Sequence, residues 1–176
     1  MKAVVNASPL IFLTKLDRLA LLPNPCGTTP AVLDEVRAGV AQGHPEAVAV
    51  EALVATGALV VRDAKPSGLA ARAGLHAGEA SMLQLAVDAG VGRVIVDDSA
   101  AIRTAKLLGL APVSTPFLFL EARRAGAIDA PEFRRLLERL VAHRYFLSAP
   151  IFQRLLDAGA DAVDTGRGDV VGPGSR

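Results

Sequence analysis

The sequence contains a single cysteine, Cys26, in 176 residues. One thiol supplies neither a disulfide framework nor a cysteine-rich zinc site within the chain, which fits a reducing cytosol. An excess of one charge is also lacking, because 19 Lys and Arg residues stand against 18 Asp and Glu residues. The composition therefore gives no bulk attraction to nucleic acid. No apolar run approaches the ~18 residues that a membrane helix needs, so we expect a cytoplasmic protein with no membrane partner.

Several common catalytic motifs are absent as well. No G-x-G-x-x-G or Walker A sequence follows the first predicted strand, which argues against dinucleotide and P-loop sites. The histidines His44, His76 and His143 are scattered, with no H-x-x-x-H spacing. Ser8 is not part of a G-x-S-x-G elbow, and nothing in the sequence marks Cys26 as a nucleophile.

About half of the residues are apolar, which is enough for one domain with a core. Short apolar strands alternate with helical patterns, and this alternation predicts a parallel sheet with helices on both faces. We predict strands over 2–6, 58–63, 93–96 and 111–114, and a loop over 23–30. A single domain is expected over 1–160, followed by a mobile tail over 161–176 that is rich in glycine and charge.

Polar side chains follow two of these strands at the point where each strand ends. Asn6 and Ser8 come after the first strand, and Asp97 and Asp98 come after the third. Ser8 is also predicted to be the N-cap of the first helix, with Pro9 at the first helical position. Because sites in open parallel sheets form at the carboxyl ends of the strands, we expect these polar groups at one edge of the sheet.

Two helical glutamates are candidates for the same edge. Glu79 lies three and four residues before Met82 and Leu83, so it shares their inward face. A carboxylate in that position is costly unless something pairs with it. Glu35 lies beside Val36, at the margin of the apolar stripe of its helix.

Each of these residues has an ordinary structural explanation when it is taken alone. The aspartate pair suits a helix cap, and Asn6 suits a turn at a strand end. Glu35 suits a solvated helix surface, and Glu79 suits a helix N-terminus. Taken together, they form a set of hard oxygen ligands without histidine or thiolate, which favours Mg²⁺ or Mn²⁺ over zinc. Such ions serve phosphoryl chemistry.

Five segments, taken in order, resemble the PIN-domain superfamily, and most closely its small prokaryotic VapC-like branch. They are VVNASPLIFLTKLDRLALLP, PAVLDEV, GEASMLQLA, VIVDDSAAIRTAKLLGL and RYFLSAPIFQRLLDAGA. The resemblance covers roughly residues 2–160. It implies an α/β three-layer sandwich, with a parallel sheet of four or five strands between helices. It also implies a metal-dependent ribonuclease, often the toxin of a toxin–antitoxin pair.

The resemblance carries the family's ligand positions onto particular residues of this chain. The implied catalytic residues are Asn6, Glu35, Glu79, Asp97 and Asp98. Of these, the implied Mg²⁺ or Mn²⁺ ligands are Asn6, Glu35, Glu79 and Asp98. Asn6 departs from the general pattern, which has aspartate at this position. An amide oxygen still coordinates a hard cation but brings no charge, so we expect weaker metal binding.

Three residues are candidates for contact with RNA. Ser8 matches a small hydroxyl residue of the family's first motif and is expected to orient a bound water or phosphate. Arg103 and Lys106 lie three residues apart on the helix after Asp98, where they face either RNA phosphates or only solvent. The expected partners are RNA, a small antitoxin protein and a second copy of the chain in a homodimer.

Two other functions remain open. A catalytically weak or inactive PIN-like protein would act by binding protein or RNA, and the uncharged Asn6 keeps this alternative open. Titration with a divalent metal separates it from the nuclease, because a protein that only binds has no specific metal site. A phosphate-accepting receiver domain is the second of these alternative functions. It needs its acid cluster after the first strand, whereas the acid pair of this chain lies at residues 97 and 98.

Overall fold

The computed structural model describes residues 1–40 and 46–161. The chain divides into two compact units, Met1–Leu118 and Phe119–Arg176, the second described as far as residue 161. The single domain expected over 1–160 stays a prediction, and the tail expected over 161–176 lies outside the described residues from residue 162 onward. No helix in the described ranges is both long and apolar enough to cross a membrane.

The first unit contains one parallel sheet with the strand order β3-β2-β1-β4-β5. Its strands are β1 (Ala3–Val5), β2 (Cys26–Thr28), β3 (Leu59–Val61), β4 (Arg93–Ile95) and β5 (Ala111–Val113). The helices of the two units together are α1 (Ala7–Lys15), α2 (Pro30–Val40), α3 (Glu46–Ala55), α4 (Gly68–Arg72), α5 (Ala77–Asp88), α6 (Ser99–Leu107), α7 (Thr115–Arg124), α8 (Ala130–Ala142) and α9 (Ala149–Ala160). The predicted α/β class, a three-layer sandwich around a parallel sheet, is confirmed.

The loop predicted over 23–30 is wrong at its centre, where β2 lies. Cys26 pairs with Ala3 of β1 on one side and with Leu59 of β3 on the other. A Cβ at Gly27 would collide with the Sδ of Met1, so glycine permits a close approach at this position. Glycine and proline in and around a three-residue strand resemble a turn in sequence. The neighbouring strands give the segment its hydrogen bonds, and these are not visible in its own residues.

The prediction that Ser8 caps the first helix is also wrong. The helix α1 begins at Ala7, and Asn6 occupies the N-cap position with extended backbone and no side-chain hydrogen bond to the helix. Ser8 lies inside the first turn, and its hydroxyl is directed to Asp97 instead. Pro9 is tolerated there because the first backbone N–H groups of a helix have no acceptor within it.

The helix α5 is buried over most of its length. All residues from Gly78 to Ala86 are buried, because α5 packs against β1, β4, α2, α4 and α6. A helix that is surrounded in this way has no solvated face over those turns. Glu79 is therefore buried, with 8% of its surface exposed, as its position before Met82 and Leu83 predicts.

The second unit is built on the packing of α8 against α9. One face of α8 buries Phe133, Leu136, Leu137 and Leu140. A Cβ at Gly159 of α9 would crowd the ring of Phe133, so the glycine allows the two helices to approach each other closely.

Candidate functional site

The polar residues after β1 and β4 meet at the carboxyl edge of the sheet, because these strands are neighbours. Val5 pairs with Ile95, and the backbone N–H of Asn6 donates to the Ile95 carbonyl oxygen at 3.0 Å. Asp97 lies two residues beyond Ile95, and its Oδ2 accepts the hydroxyl of Ser8 at 3.4 Å. The structure thus brings Asn6, Ser8 and Asp97 to one edge.

Asn6 carries a buried oxygen to which no group in the described part of the chain donates a hydrogen bond. The residue is 4% exposed, and its Oδ1 is fully buried without a hydrogen-bond partner in the described ranges. An unsatisfied buried acceptor costs about 1–3 kcal/mol, so such atoms are uncommon in native structures. The position of this oxygen at the sheet edge favours a ligand there that supplies a donor or a positive charge.

Three carboxylates near this edge share one pattern of hydrogen bonding. In each of them one oxygen accepts backbone N–H groups, while the other has no partner within the part of the chain that the structure describes. The accepting atoms and their donors are Glu35 Oε1 with Gly78 N (3.1 Å), Glu79 Oε2 with His76 N (3.1 Å), and Asp98 Oδ1 with Ala100 N (2.7 Å) and Ala101 N (2.9 Å). The backbone therefore orients each carboxylate and leaves one oxygen for a ligand.

Glu35 reaches the site because α2 packs closely on the start of α5. The hydroxyls of Thr29, just before α2, and Ser81 of α5 lie 2.8 Å apart and tie these helices together. A Cβ at Gly78 would occupy the space of the Glu35 carboxylate. Gly78 is therefore part of the site, although the sequence analysis did not single it out. The glycine that immediately precedes Glu79 was the available signal.

The electrostatics of Glu79 connect the three carboxylates. Burial raises the pKa of Glu79 above its ordinary value, and the negative charges of Asp98 and Glu35 raise it further. The hydrogen bond from the His76 backbone and the charge of His76 act in the opposite direction. The charges of Asp98 and Glu35 thus act on Glu79, and a cation bound near Glu79 would offset part of this repulsion.

Asp97 is engaged differently from its neighbour Asp98. Its Oδ1 accepts the backbone N–H of Thr115 and its Oδ2 accepts the Thr115 hydroxyl, each at 2.7 Å. Asp98 is exposed, caps α6 with one oxygen and interacts electrostatically with Glu79. The sequence left open which aspartate is nearer to a metal, and these contacts favour Asp98. Thr115 was missed because its partner lies 18 residues away in sequence.

The two predicted RNA contacts lie on the surface of α6. Arg103 and Lys106 are exposed, and neither forms an ion pair with a carboxylate in the described ranges. No hydrogen bond within 1–40 and 46–161 ties their side chains to the acid cluster. They are consequently available to an anionic partner, and their position one to two turns after Asp98 places them on the helix that begins at the site.

A divalent ion fits this edge only with a mixed ligand set. Among the described His, Cys, Asp and Glu residues, no group of three could hold one metal ion together. Asn6 adds an amide oxygen outside that set, and Mg²⁺ in proteins commonly keeps several waters beside one or two carboxylates. The candidate metal ligands are all oxygens, and the Asn6 Oδ1 has no hydrogen-bond partner in the described ranges. This ligand set fits hydrated Mg²⁺ or Mn²⁺ better than zinc.

Comparison with known proteins agrees with this fold. The DUF3368 family model, described as a PIN domain, matches residues 2–160. A search of curated proteins found no match. The match does not single out the VapC-like branch, which stays a prediction. Because this family model covers nearly the whole described chain, the fold is of the nuclease type, and the chain belongs to the PIN-domain family.

Proposed function

We propose that the chain is a metal-dependent ribonuclease of the PIN type. The proposal rests on four side-chain oxygens without a hydrogen-bond donor in the described ranges: Asn6 Oδ1 and one oxygen each of Glu35, Glu79 and Asp98. Three of them belong to acids whose charges act on one another. A hydrated hard cation needs only one or two of these carboxylates beside the amide oxygen, and PIN nucleases as a group act on RNA.

The candidate ligands contribute in different ways. Asp98 and Glu79 bring negative charge, Asn6 brings a neutral oxygen, and Glu35 is directed to the same region by its bond to Gly78. Asn6, with Glu79 or Asp98, would hold a divalent ion that would activate a water and offset charge on the scissile phosphate. The backbone N–H groups on these carboxylates orient them before substrate arrives, which reduces the reorganisation that the reaction requires.

The residues around the acids suit a phosphate backbone. The Ser8 hydroxyl, directed at Asp97, is proposed to orient a water or a phosphate oxygen at the mouth of the site. Arg103 and Lys106 on α6 are proposed to bind phosphates beside the scissile one. These two cations offset the repulsion between an acidic site and an anionic substrate.

We extend the proposal to the biological setting that the VapC-like motifs imply. The chain would act in the cytoplasm as the toxin of a toxin–antitoxin pair, as a homodimer, under the control of a small antitoxin protein. Finding a gene for a small DNA-binding protein beside its own gene would support this setting. A monomeric mass by light scattering would contradict the homodimer without affecting the nuclease.

Two observations favour a second candidate, a PIN-like protein that binds RNA or protein without cleavage. Asn6 lacks the charge of the usual aspartate, and no three acids in the described ranges are placed to share an ion. A site of this kind would bind metal weakly and cleave slowly.

Cleavage of labelled single-stranded RNA with Mn²⁺, Mg²⁺ or EDTA tests the proposal. We expect cleavage that requires the divalent ion and is lost in Glu79→Gln and Asp98→Asn. The matched control is Glu51→Gln, a half-exposed glutamate of α3 paired with Arg37. Purified wild-type protein that neither binds Mn²⁺ by calorimetry nor cleaves RNA would favour the binding-only candidate.

A further inference from the structure

Thr115 holds Asp97 with two donors that point at two different oxygens. Its backbone N–H donates to Oδ1 and its hydroxyl donates to Oδ2, each at 2.7 Å. Thr115 is fully buried, at the first position of α7. Two bonds from one residue to both oxygens fix the plane of the carboxylate as well as its position, whereas a single bond would leave it free to rotate.

The arrangement uses donors that the fold already provides. The N–H groups in the first turn of a helix have no acceptor within the helix, so the Thr115 N–H is free to bind Asp97. A negative charge is also favourable at a helix N-terminus. The hydroxyl is the added element, because it alone depends on the identity of the side chain at position 115.

Asp97 is a junction between the parts of the site. It follows β4, it precedes Asp98 directly, and its Oδ2 also accepts the Ser8 hydroxyl from α1. Fixing the Asp97 side chain fixes the short stretch between β4 and α6. That stretch sets the position at which Asp98 caps α6 and presents its second oxygen.

We infer that Thr115 is a positioning residue of the proposed nuclease site, which acts by clamping Asp97 so that Asp97, Asp98 and Ser8 keep the geometry that the reaction needs. This inference rests on the proposed function. Thr115 contacts Asp97 and not one of the proposed metal ligands, so it acts on the reaction only by positioning Asp97.

Thr115→Val removes the hydroxyl while keeping the branched shape and the backbone N–H. We expect kcat on single-stranded RNA at saturating Mn²⁺ to fall about tenfold, since small displacements at a reacting centre are costly, while KM changes little. Thr115→Ser keeps the hydroxyl and should stay close to wild type. The matched control is Thr104→Val, because the buried Thr104 hydroxyl donates, among the described residues, only to the Ala100 carbonyl of its own helix.

The thermal melting temperature of every variant separates positioning from loss of structure. The inference is supported if Thr115→Val loses kcat while Thr104→Val, at a similar melting temperature, does not. It is overturned if Thr115→Val keeps wild-type kcat, or if both variants lose kcat in proportion to stability. Thr115→Ala tests the same hydroxyl if the valine variant does not fold. Wild-type protein without Mn²⁺ binding or cleavage overturns the proposed function itself, and the inference with it.

Discussion

The Glu35 carboxylate fills the space in which a side chain at position 78 would have to lie. Its Oε1 accepts the Gly78 N–H at 3.1 Å, and a Cβ on Gly78 would collide with the carboxylate. Glu35 comes from α2 and Gly78 from the first turn of α5, so this contact joins two helices of the candidate site. Glycine at position 78 therefore makes room for the Glu35 carboxylate of the candidate site.

Gly78→Ala should separate the stability of the fold from metal binding. Alanine in a helix gains up to about 1 kcal/mol over glycine, and the group that must move is the flexible end of Glu35. We expect the free energy of unfolding to change by less than about 1 kcal/mol, because the gain offsets the lost hydrogen bond. Mn²⁺ affinity by calorimetry should fall, since the Glu35 carboxylate is displaced.

Gly92→Ala is the matched control for this change. A Cβ at Gly92 meets no atom within 4 Å, so the substitution leaves the site untouched. Unchanged Mn²⁺ affinity in Gly78→Ala, with tight binding in the wild type, would exclude Glu35 from the metal site.

The stability of the metal-free protein should depend on pH through Glu79. The pKa of this acid is raised by burial and by the charges of Asp98 and Glu35, so folding favours its protonated form. The resulting stabilisation is complete below the unfolded-state pKa of about 4.3 and is lost as pH rises through the higher folded-state pKa. Relative to Glu79→Gln, wild-type protein should therefore be less stable at pH 7 than at pH 4.

Urea unfolding with EDTA at both pH values measures this difference. The matched control is Glu138→Gln, an exposed position of α8 whose surface pair with Arg134 at 3.9 Å contributes little, and it should leave the gap between pH 4 and pH 7 as in the wild type. Saturating Mn²⁺ should restore wild-type stability at pH 7, because the ion binds the folded site and not the unfolded chain. A constant difference between wild type and Glu79→Gln across this range would contradict the electrostatic account.

The sequence alone predicts most of the sheet and the polar ends of its strands. β1 and β4 are visible because their apolar residues stop at Asn6 and at Asp97. β2 is not visible, since Cys26–Thr28 becomes a strand only through pairing with neighbours on both sides. Gly78 and Thr115 were missed for a related reason. Each one acts on a residue 18 or more positions away, and periodicity reports only local neighbours.

The Cys26 thiol should react very slowly with alkylating reagents while the protein is folded. It lies in β2 with 1% of its surface exposed, and burial raises the pKa of its thiol from 9.0 to about 12. The thiolate is the reactive form, so alkylation by iodoacetamide at pH 8 should be slow and should follow global unfolding. In concentrated guanidinium chloride the same thiol should react at the rate of a free cysteine. Rapid labelling under native conditions would mean that β2 opens locally.

The raised thiol pKa also predicts a loss of stability in alkali. Folding favours the protonated thiol, so this contribution is present below the unfolded-state pKa and is lost as pH rises towards about 12. Cys26→Ala has no thiol to titrate and should lose less stability between neutral and alkaline pH. Equal losses in the two proteins would contradict this prediction.

Asn6→Asp should tighten divalent binding and raise any ribonuclease activity at low metal concentration. The Asn6 Oδ1 is buried without a partner in the described ranges, at the sheet edge where Ser8 and Asp97 also lie. A carboxylate has nearly the same shape and adds one negative charge to the ligand set. After desolvation and repulsion are subtracted, we expect a gain of about 1–2 kcal/mol, which is roughly tenfold in affinity.

The same charge should cost stability when no metal is bound, because it adds to the repulsion among Glu79, Glu35 and Asp98. Calorimetry with Mn²⁺, beside thermal melts in EDTA, measures both effects in one pair of proteins. Asn24→Asp is the matched control, since Asn24 is exposed before β2 at the other end of the strands. A gain in affinity without a loss of metal-free stability would mean that the new carboxylate faces solvent. Equal affinity and equal stability would mean that Asn6 does not face the acids, and its unpartnered oxygen would then have no part in binding an ion.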